Sequence, residues 1–431
     1  MLTQLHLANF KPFRDYTVGF SDRNVLIGPN NAGKSSIVQA LRAVDLALRA
    51  FNRTGQREFK IGDDKIPFSL RNARNLYAPD TEVAEVTCKF TEGESVTLRI
   101  DAPGQGILAS VDSTARRTQN IIGFLPPVGP LEEDERVLQR DHVRTTMNTY
   151  LAPRHFRNLW HHFPDLIDVL GEKLSLTWPG VTLGRDRPNP VVNYENGNLY
   201  MFYEEERVPR EVAWAGTGLQ IWLQILTFLV KRNDEHILVL DEPELYLHAD
   251  VQRKIGPAAL VARASQVVIA THSVEIVNEV EPEQIVTIDY ALTRSKRLFD
   301  VGAVQEAITR LGSTQNIQLS RLARSRKCLF VEGNDIRILR RVATKLGAGS
   351  WEESRDFSVF PLEGFENWRL LEAVDWVFEN ILGDRVQAFV ILDRDYRTES
   401  AVENVLQKLR HGGGPVPRLG EEGARELSPC P

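Results

Sequence analysis

The sequence is poor in cysteine and in long apolar runs, and each shortage excludes a class of protein. Its 431 residues contain three cysteines, Cys88, Cys328 and Cys430, without metal-ligand spacing, which argues against a zinc site and favours a reducing compartment. The longest apolar stretch, 214–230, contains two glutamines and falls short of the roughly 20 apolar residues of a membrane span. The first residues also lack the pattern of a signal peptide. The sequence therefore predicts a cytoplasmic protein without membrane contact.

Net positive charge is lacking as well. The formal net charge is −6, so general adhesion to nucleic acid is excluded and any DNA contact must depend on local basic patches. The composition, 42% hydrophobic and 26% charged, is that of a globular protein. A chain of this length is sufficient for two or three domains.

The stretch VLIGPNNAGKSSIVQAL combines an apolar strand, a glycine-rich turn and a helix. It fits the pattern G-x-x-x-x-G-K-[ST], in which backbone N–H groups surround phosphates, the lysine reaches the β and γ phosphates and the hydroxyl ligates Mg²⁺. The flanking strand and helix disfavour the alternative of a turn with a chance lysine. The predicted nucleotide-binding residues are Gly28, Asn30, Asn31, Gly33, Lys34, Ser35 and Ser36.

Two later apolar runs end in polar residues. The first, 237–240, leads into Asp241 and Glu242, which are suited to holding Mg²⁺ through water and to polarising an attacking water. The second, 266–270, leads into His272. A lone histidine is usually structural, but a position at a strand tip of the same sheet favours a role in the site.

These motifs resemble those of ABC-type ATPases of the RecF/SMC-like branch. The matching stretches, within roughly the first 290 residues, are LTQLHLANFKPFRD, GPNNAGKSS (Walker A), LVLDEPELYLH (Walker B) and IATHS (switch histidine). In that branch a signature motif from a second subunit closes over the γ-phosphate. The segment AGTGLQIWLQIL lies at its place, with Thr217, Gly218 and Gln220 as its members, although Leu219 stands where transporters usually have a second glycine. The alternative is a helix start capped by Thr217.

The resemblance implies ATP hydrolysis in a head-to-tail homodimer or a higher homo-oligomer. Between the phosphate loop and the signature, two alternating stretches with turns at 92–94 and 196–197 predict hairpins of an antiparallel lobe. The pattern from 131 to 176 is helical. No glutamine can be matched to the residue that senses Mg²⁺ in ABC proteins.

A third group of acids lies further along the chain. The apolar run 328–331 ends in Glu332, and the run 388–392 ends in Asp393 and Asp395. Alternate residues of an extended segment point the same way, so these carboxylates can form an all-oxygen Mg²⁺ site. Their order and separation resemble the acidic residues of the Toprim domain, and Mn²⁺ is an alternative metal there. A generic α/β domain with solvated acids is the alternative.

An ABC ATPase followed by a Toprim domain is the arrangement of the OLD (overcoming lysogenisation defect) nucleases, which include Gabija-type antiphage effectors. The resemblance implies a nucleotide-regulated, metal-dependent DNA endonuclease, with a defence-system protein as a further partner. Glu332, Asp393 and Asp395 would be its catalytic acids, with Glu242 and His272 serving ATP hydrolysis. Two other functions stay open: a RecF-type DNA-binding ATPase without nuclease activity and, less favoured, a transporter ATPase.

The predicted fold class is α/β: an ABC-type P-loop ATPase domain with an antiparallel β-lobe and a helical insertion, then a Rossmann-like Toprim domain. The predicted boundaries are 1–300 for the ATPase with its insertion at about 50–210, 301–324 for a helical connector, 325–410 for an incomplete Toprim domain and 411–431 for a disordered tail. The glycine- and proline-rich stretch after His411 leads us to expect a truncation or frame change there.

Overall fold

The structure is a computed structural model that describes part of the chain and divides it into two compact units, 1–314 and 315–431. The described residues are 1–61, 83–100, 107–111, 122–126, 128–146, 151–183, 189–231, 237–260, 266–310, 327–332, 358–362 and 387–391, with the single positions 339, 342 and 345.

The strands and helices follow one another along both units. The strands are β1 (Leu2–Phe10), β2 (Phe13–Gly19), β3 (Arg23–Ile27), β4 (Glu58–Ile61), β5 (Ala84–Phe90), β6 (Ser95–Ile100), β7 (Ile107–Val111), β8 (Ile122–Phe124), β9 (Glu135–Arg136), β10 (Val181–Leu183), β11 (Val191–Val192), β12 (Asn198–Tyr200), β13 (Phe202–Glu205), β14 (Val208–Glu211), β15 (Ile237–Asp241), β16 (Gln266–Ala270), β17 (Ile285–Thr287), β18 (Lys296–Arg297), β19 (Lys327–Glu332), β20 (Ser358–Leu362) and β21 (Gln387–Ile391). The helices are α1 (Lys34–Thr54), α2 (Arg140–Thr146), α3 (Phe156–His162), α4 (Ile167–Thr177), α5 (Thr217–Lys231), α6 (Ala249–Leu260), α7 (Val274–Val277) and α8 (Val301–Arg310).

A sheet of order β18-β17-β3-β16-β15-β8 forms the centre of the first unit. Its neighbours from β17 to β8 are parallel, and the residues of β16 are all buried. This burial explains why β15 and β16 read as continuous apolar runs rather than alternating ones. Because parallel strands end at the same edge of a sheet, the phosphate loop after β3 and the polar residues after β15 and β16 lie along one edge.

A second sheet has the order β2-β1-β5-β6-β7-β4, and each pair of neighbouring strands in it is antiparallel. It contains the predicted hairpin of β5 and β6, joined through Thr91–Gly93. Helix α1 contacts strands of both sheets and buries one face between them, so a single core joins the sheets. The predicted α/β class with an antiparallel lobe is confirmed in this unit.

Short helices and small sheets make up the part of the predicted insertion that follows β8. Its earlier strands belong to the larger sheets, β4 to β7 to the antiparallel sheet and β8 to the central sheet. Strands β11 and β12 pair across the turn at Asn196 and Gly197, where Gly197 has φ 74°, as predicted from the Asn-Gly pair. Helices α2 and α3 lie within 131–176, the stretch predicted to be helical, and α4 ends one residue beyond it, at Thr177. The helical prediction is wrong at Glu135–Arg136, which form strand β9. Among the described residues, none of the helices combines the length and the hydropathy needed to cross a bilayer.

A buried arginine joins three segments of the insertion. The guanidinium of Arg157 on α3 donates from Nε to Glu211 Oε1 at 2.8 Å and from Nη1 to Glu132 O at 2.8 Å. Its Nη1 also lies 3.3 Å from Glu135 Oε2. The side chains of Arg157, Glu135 and Glu211 are almost completely buried, at 0%, 2% and 2% exposure. Glu211 also accepts from Ala213 N, in the turn that leads to α5.

The described strands of the second unit form a parallel sheet of order β20-β19-β21. Glu332 is the last residue of β19, whereas Asp393 and Asp395, together with the predicted tail, lie outside the described residues. Helix α8, assigned from the sequence to a connector, belongs to the first unit. The two units divide at 314/315, within the predicted connector rather than at either of its ends.

Candidate nucleotide site

The phosphate loop brings a buried lysine to the start of α1. The side chain of Lys34 donates from Nζ to Gly28 O at 2.7 Å and to Pro29 O at 3.2 Å. Burial lowers the pKa of this ammonium to about 8, against the opposing effect of the Glu242 charge. A phosphate group would supply stronger, charged acceptors than these two carbonyls. The N–H groups of the Lys34 ammonium can therefore exchange these carbonyls for the oxygens of an anion bound at the loop.

Two glycines of the loop are required by their close neighbours. Gly33 has φ 103°, and a Cβ there would lie 2.3 Å from Cζ of the buried Phe13 ring. A Cβ on Gly28 would lie 2.5 Å from Ile288 O. Since real Cβ atoms do not approach other atoms this closely, the loop reaches its position only with glycine at both points.

The variant Gly33→Ala is expected to weaken ATP binding by roughly 30-fold or more. The added methyl group meets Phe13 and must adopt a left-handed backbone conformation, and together these effects cost on the order of 2–4 kcal/mol. Titration with a fluorescent ATP analogue measures the loss. Gly93→Ala is the matched control, since Gly93 also has a positive φ but has nothing within 4 Å of a built Cβ. Equal affinity for Gly33→Ala and wild type would contradict the steric account.

Asp241, at the end of β15, has a carboxylate oxygen suited to a metal. Its Oδ1 is buried and has no hydrogen-bond partner among the described residues. Burial, with a contribution from the Glu242 charge, raises the pKa of Asp241 to about 6, and Arg42 opposes this rise. A cation beside this oxygen would favour the ionised form. Ser35, the other predicted Mg²⁺ ligand of this site, is exposed at the start of α1.

Among the described residues, no three histidine, cysteine, aspartate or glutamate side chains come together so that they could hold a metal ion. A phosphate-bound Mg²⁺ takes most of its ligands from phosphates and water, and it needs one or two oxygens from the protein. The orphaned oxygen of Asp241 and the exposed hydroxyl of Ser35 fit this requirement.

Glu242 and His272 meet at the same edge. Glu242 has φ 46°, and its N–H donates to Ala270 O at 2.8 Å, which ties the end of β15 to the end of β16. His272 Nε2 lies 3.7 Å from Glu242 Oε1, and His272 Nδ1 lies 3.5 Å from Lys34 Nζ. Burial and the Lys34 charge lower the pKa of His272, so the neutral imidazole is favoured. Three residues predicted from separate motifs thus lie together.

The predicted signature residues lie at the start of α5. Thr217 is exposed and Gly218 is half-buried. Gln220 is buried, and its amide donates to Ala213 O and Ala215 O and accepts from Leu131 N. This amide fixes the segment before the helix, so its predicted contact with nucleotide would require these bonds to break. The helix begins at Thr217, which places Gly216 at the capping position.

Sequence reasoning missed Glu244 and Gln252. Glu244 Oε1 accepts from His272 N at 2.7 Å, and Gln252 Oε1 accepts from Ser273 Oγ at 2.6 Å. The third acid of the run DEPE was the available signal for Glu244. For Gln252, which is one polar residue among several on an amphipathic helix, the sequence contained no such signal.

A family model and a curated protein each match part of this chain. The family model described as "AAA domain, putative AbiEii toxin, Type IV TA system" matches residues 23–278. The "Old nuclease" of Escherichia phage P2 is 28% identical over 125 residues, covering 25% of this chain and 21% of that protein. The chain thus aligns with about a fifth of that nuclease. These matches confirm the predicted resemblance to OLD-type ATPases.

Solved ATPase heads are more distant. An SMC head bound to the C-winged helix domain of ScpA aligns with a TM-score of 0.43 and 16% identity, over 70% of this chain and 99% of that chain. The SMC head domain from Thermotoga maritima has a TM-score of 0.40 and 15% identity, over 69% and 99%. The recombination mediator RecF of the RecFOR pathway has 0.41 and 11%, over 69% and 98%.

Proposed function

The chain belongs to the AAA-domain family whose model matches residues 23–278, and from this premise we propose that it binds and hydrolyses ATP to control metal-dependent cleavage of DNA. The observation that carries the ATPase part is the meeting of Lys34, Glu242 and His272 beside the orphaned oxygen of Asp241. These residues bring four groups to one sheet edge. Lys34 is a hydrogen-bond donor for an anion, Glu242 a base, His272 a polar group that orients its neighbours, and Asp241 a metal ligand.

Each residue has a distinct task in hydrolysis. Lys34 would exchange its loop carbonyls for phosphate oxygens, and Asp241 with Ser35 would hold Mg²⁺, which would neutralise charge on the phosphates. Glu242 orients and polarises the attacking water as a general base. The neutral His272 accepts or donates one hydrogen bond next to the γ-phosphate and keeps the Glu242 carboxylate in place. Head-to-tail pairing of two copies, with Thr217 and Gly218 facing the partner's nucleotide, completes the proposed site.

The nuclease part is supported by the order of strands in the second unit. Strand β19 ends at Glu332 and is the parallel neighbour of β21, which Asp393 and Asp395 follow in the sequence. Acids after neighbouring parallel strands come to one sheet edge, where carboxylate oxygens suit Mg²⁺ or Mn²⁺. The metal would activate water and stabilise charge on the scissile phosphate. The match to the phage P2 Old nuclease favours nuclease activity, and the resemblance to the OLD nucleases implies DNA as the substrate and antiphage defence as the setting.

A second candidate is a DNA-binding ATPase that switches between nucleotide states without cutting. It is favoured by the site itself, because the described residues of the first unit contain all the groups assigned to ATP hydrolysis. Under this alternative, DNA stimulates ATP turnover and no metal-dependent cleavage occurs.

Nicking of supercoiled plasmid separates the two candidates. With Mg²⁺ or Mn²⁺ and with or without ATP, wild type is expected to nick DNA, and Asp393→Ala is expected to lose at least about 10²-fold of this activity because it removes a metal ligand. Asp384→Ala is the matched control, since Asp384 is a nearby aspartate that precedes β21 in the sequence and belongs to none of the predicted acidic sites. ATPase activity without nicking by wild type would favour the switching ATPase.

A further inference from the structure

Two side chains that come after the Walker B strand in the sequence, Glu244 and Gln252, form hydrogen bonds to the loop that carries His272. A turn after β15, with Leu245 N donating to Glu242 O at 3.3 Å and Leu247 N donating to Glu244 O at 3.1 Å, brings Glu244 back toward β16. There Glu244 Oε1 accepts the His272 N–H at 2.7 Å. A carboxylate accepting a backbone N–H forms a charge-assisted hydrogen bond, which is stronger than a neutral one. The backbone of His272 is therefore fixed at its amide.

The second hold comes from helix α6. Gln252 Oε1 accepts from Ser273 Oγ at 2.6 Å, and Gln252 Nε2 donates to Leu247 O at 2.7 Å. Ser273 Oγ in turn accepts from Ile276 N at 3.2 Å and caps α7. The Gln252 amide thus bonds Ser273 of one loop through its oxygen and Leu247 of the other loop through its nitrogen. The amide ties the loop after β15 to the loop after β16.

We propose that Glu244 and Gln252 are positioning residues that together clamp the His272 loop and hold the imidazole between Lys34 and Glu242. The imidazole is 3.5 Å from one partner and 3.7 Å from the other, so a small displacement of its backbone breaks its alignment with both. The hydrogen bonds of both side chains go to the two loops. The inference rests on the proposed ATPase function, because its kinetic consequence is a loss of turnover.

Steady-state ATPase kinetics test the clamp. Gln252→Ala and Glu244→Ala are each expected to lower kcat by roughly 10-fold or more, since misplacement by about 1 Å can cost 10²-fold, with ATP affinity changed by less than about 2-fold. Ser273→Ala removes the bond between Gln252 and Ser273 that Gln252→Ala also removes, so kcat of the double variant is expected to fall by clearly less than the product of the two single effects. Ser273→Thr keeps the hydroxyl and is expected to restore most of kcat.

Arg253→Gln is the matched control. Arg253 lies next to Gln252 on α6, and its Nε donates to Glu275 Oε2 on α7 at 2.7 Å, so this variant loosens the same pair of helices without touching either loop. It is expected to leave kcat within about 2-fold of wild type. A fall in kcat equal to that of Gln252→Ala would overturn the clamp in favour of a general helix-packing effect.

Hydrogen exchange gives a readout that does not need ATPase activity. Peptides covering 270–276 are expected to exchange faster in Glu244→Ala and Gln252→Ala than in wild type and Arg253→Gln, because opening of the loop exposes the His272 N–H. Unchanged exchange in both variants would overturn the inference. Faster exchange with unchanged kcat would also overturn it, since the hold would then be structural only. A wild-type protein without ATPase activity would instead refute the proposed function, and the exchange result would still decide whether the clamp exists.

Discussion

The Glu242→Gln variant is expected to bind ATP like wild type and to hydrolyse it about 10³-fold more slowly, within the range for loss of a general base. The amide keeps the size of the side chain but cannot take a proton from water. Removing one of three neighbouring acids also lowers the local negative charge, since the Glu242 charge acts on both Lys34 and Asp241. Nucleotide affinity should therefore be kept or slightly raised. Single-turnover hydrolysis and ATP-analogue titration measure the two quantities separately.

Glu275→Gln is the control for this experiment. Glu275 is an acid at the start of α7 whose carboxylate pairs with Arg253 at 2.7 Å rather than with the site. It is expected to leave turnover within about 2-fold of wild type, as loss of a partly exposed ion pair usually does. Near-normal turnover in Glu242→Gln would remove Glu242 from the role of base and would leave Glu244 as the acid to examine.

The largest stability effect is expected from Arg157→Ala. Breaking a buried ion pair by removing one partner costs about 3–5 kcal/mol, because the remaining charges stay buried without compensation. Here two carboxylates, Glu135 and Glu211, lose their shared cation, and burial already raises the pKa of Glu135. Chemical denaturation followed by tryptophan fluorescence is the measurement, since Trp160 is fully buried on the same helix.

Arg154→Ala supplies the contrast. Arg154 pairs with Glu132 at 2.9 Å, but their side chains are 62% and 46% exposed. Solvent screens such a pair, so the loss is expected to be less than about 1 kcal/mol. Equal destabilisation by the two variants would mean that burial of Arg157 does not increase the contribution of its ion pairs to the free energy of unfolding.

The placement of the candidate site residues along one sheet edge was largely predictable because these residues follow buried strands. Strand β16 has the predicted bounds, and β15 extends the predicted run by one residue to Asp241. Apolar runs mark such strands, and parallel pairing then requires the following residues to share one edge. Nothing comparable marks Gln252 or Arg157, since a polar residue on a helix looks the same whether it is solvated or buried. Their partners are set by tertiary packing alone.

Gln220 illustrates the opposite case, in which a motif pointed to a ligand and the structure gives the side chain a different use. Its amide makes three hydrogen bonds within the chain. The motif constrains the residue type but does not state which side of the helix start faces outward. Thr217, Gly218 and Gln220 stay as predictions for contact with a partner's nucleotide, and for Gln220 that contact would require its present bonds to break. Asp393 and Asp395 stay predictions as well, as they lie outside the described residues.

The strand order of the central sheet also bears on how the protein is made. Strand β3 leads into the phosphate loop, yet its neighbours are β16 and β17, and Asn24 Nδ2 donates to Val267 O across 243 residues of chain. At a synthesis rate of about 5–20 residues per second, an emerging chain carries this apolar strand unpaired for roughly 10–50 s. Nascent chains that have not yet released β16 from the ribosome should therefore bind no nucleotide, and they should be a substrate for chaperones that cover apolar strands.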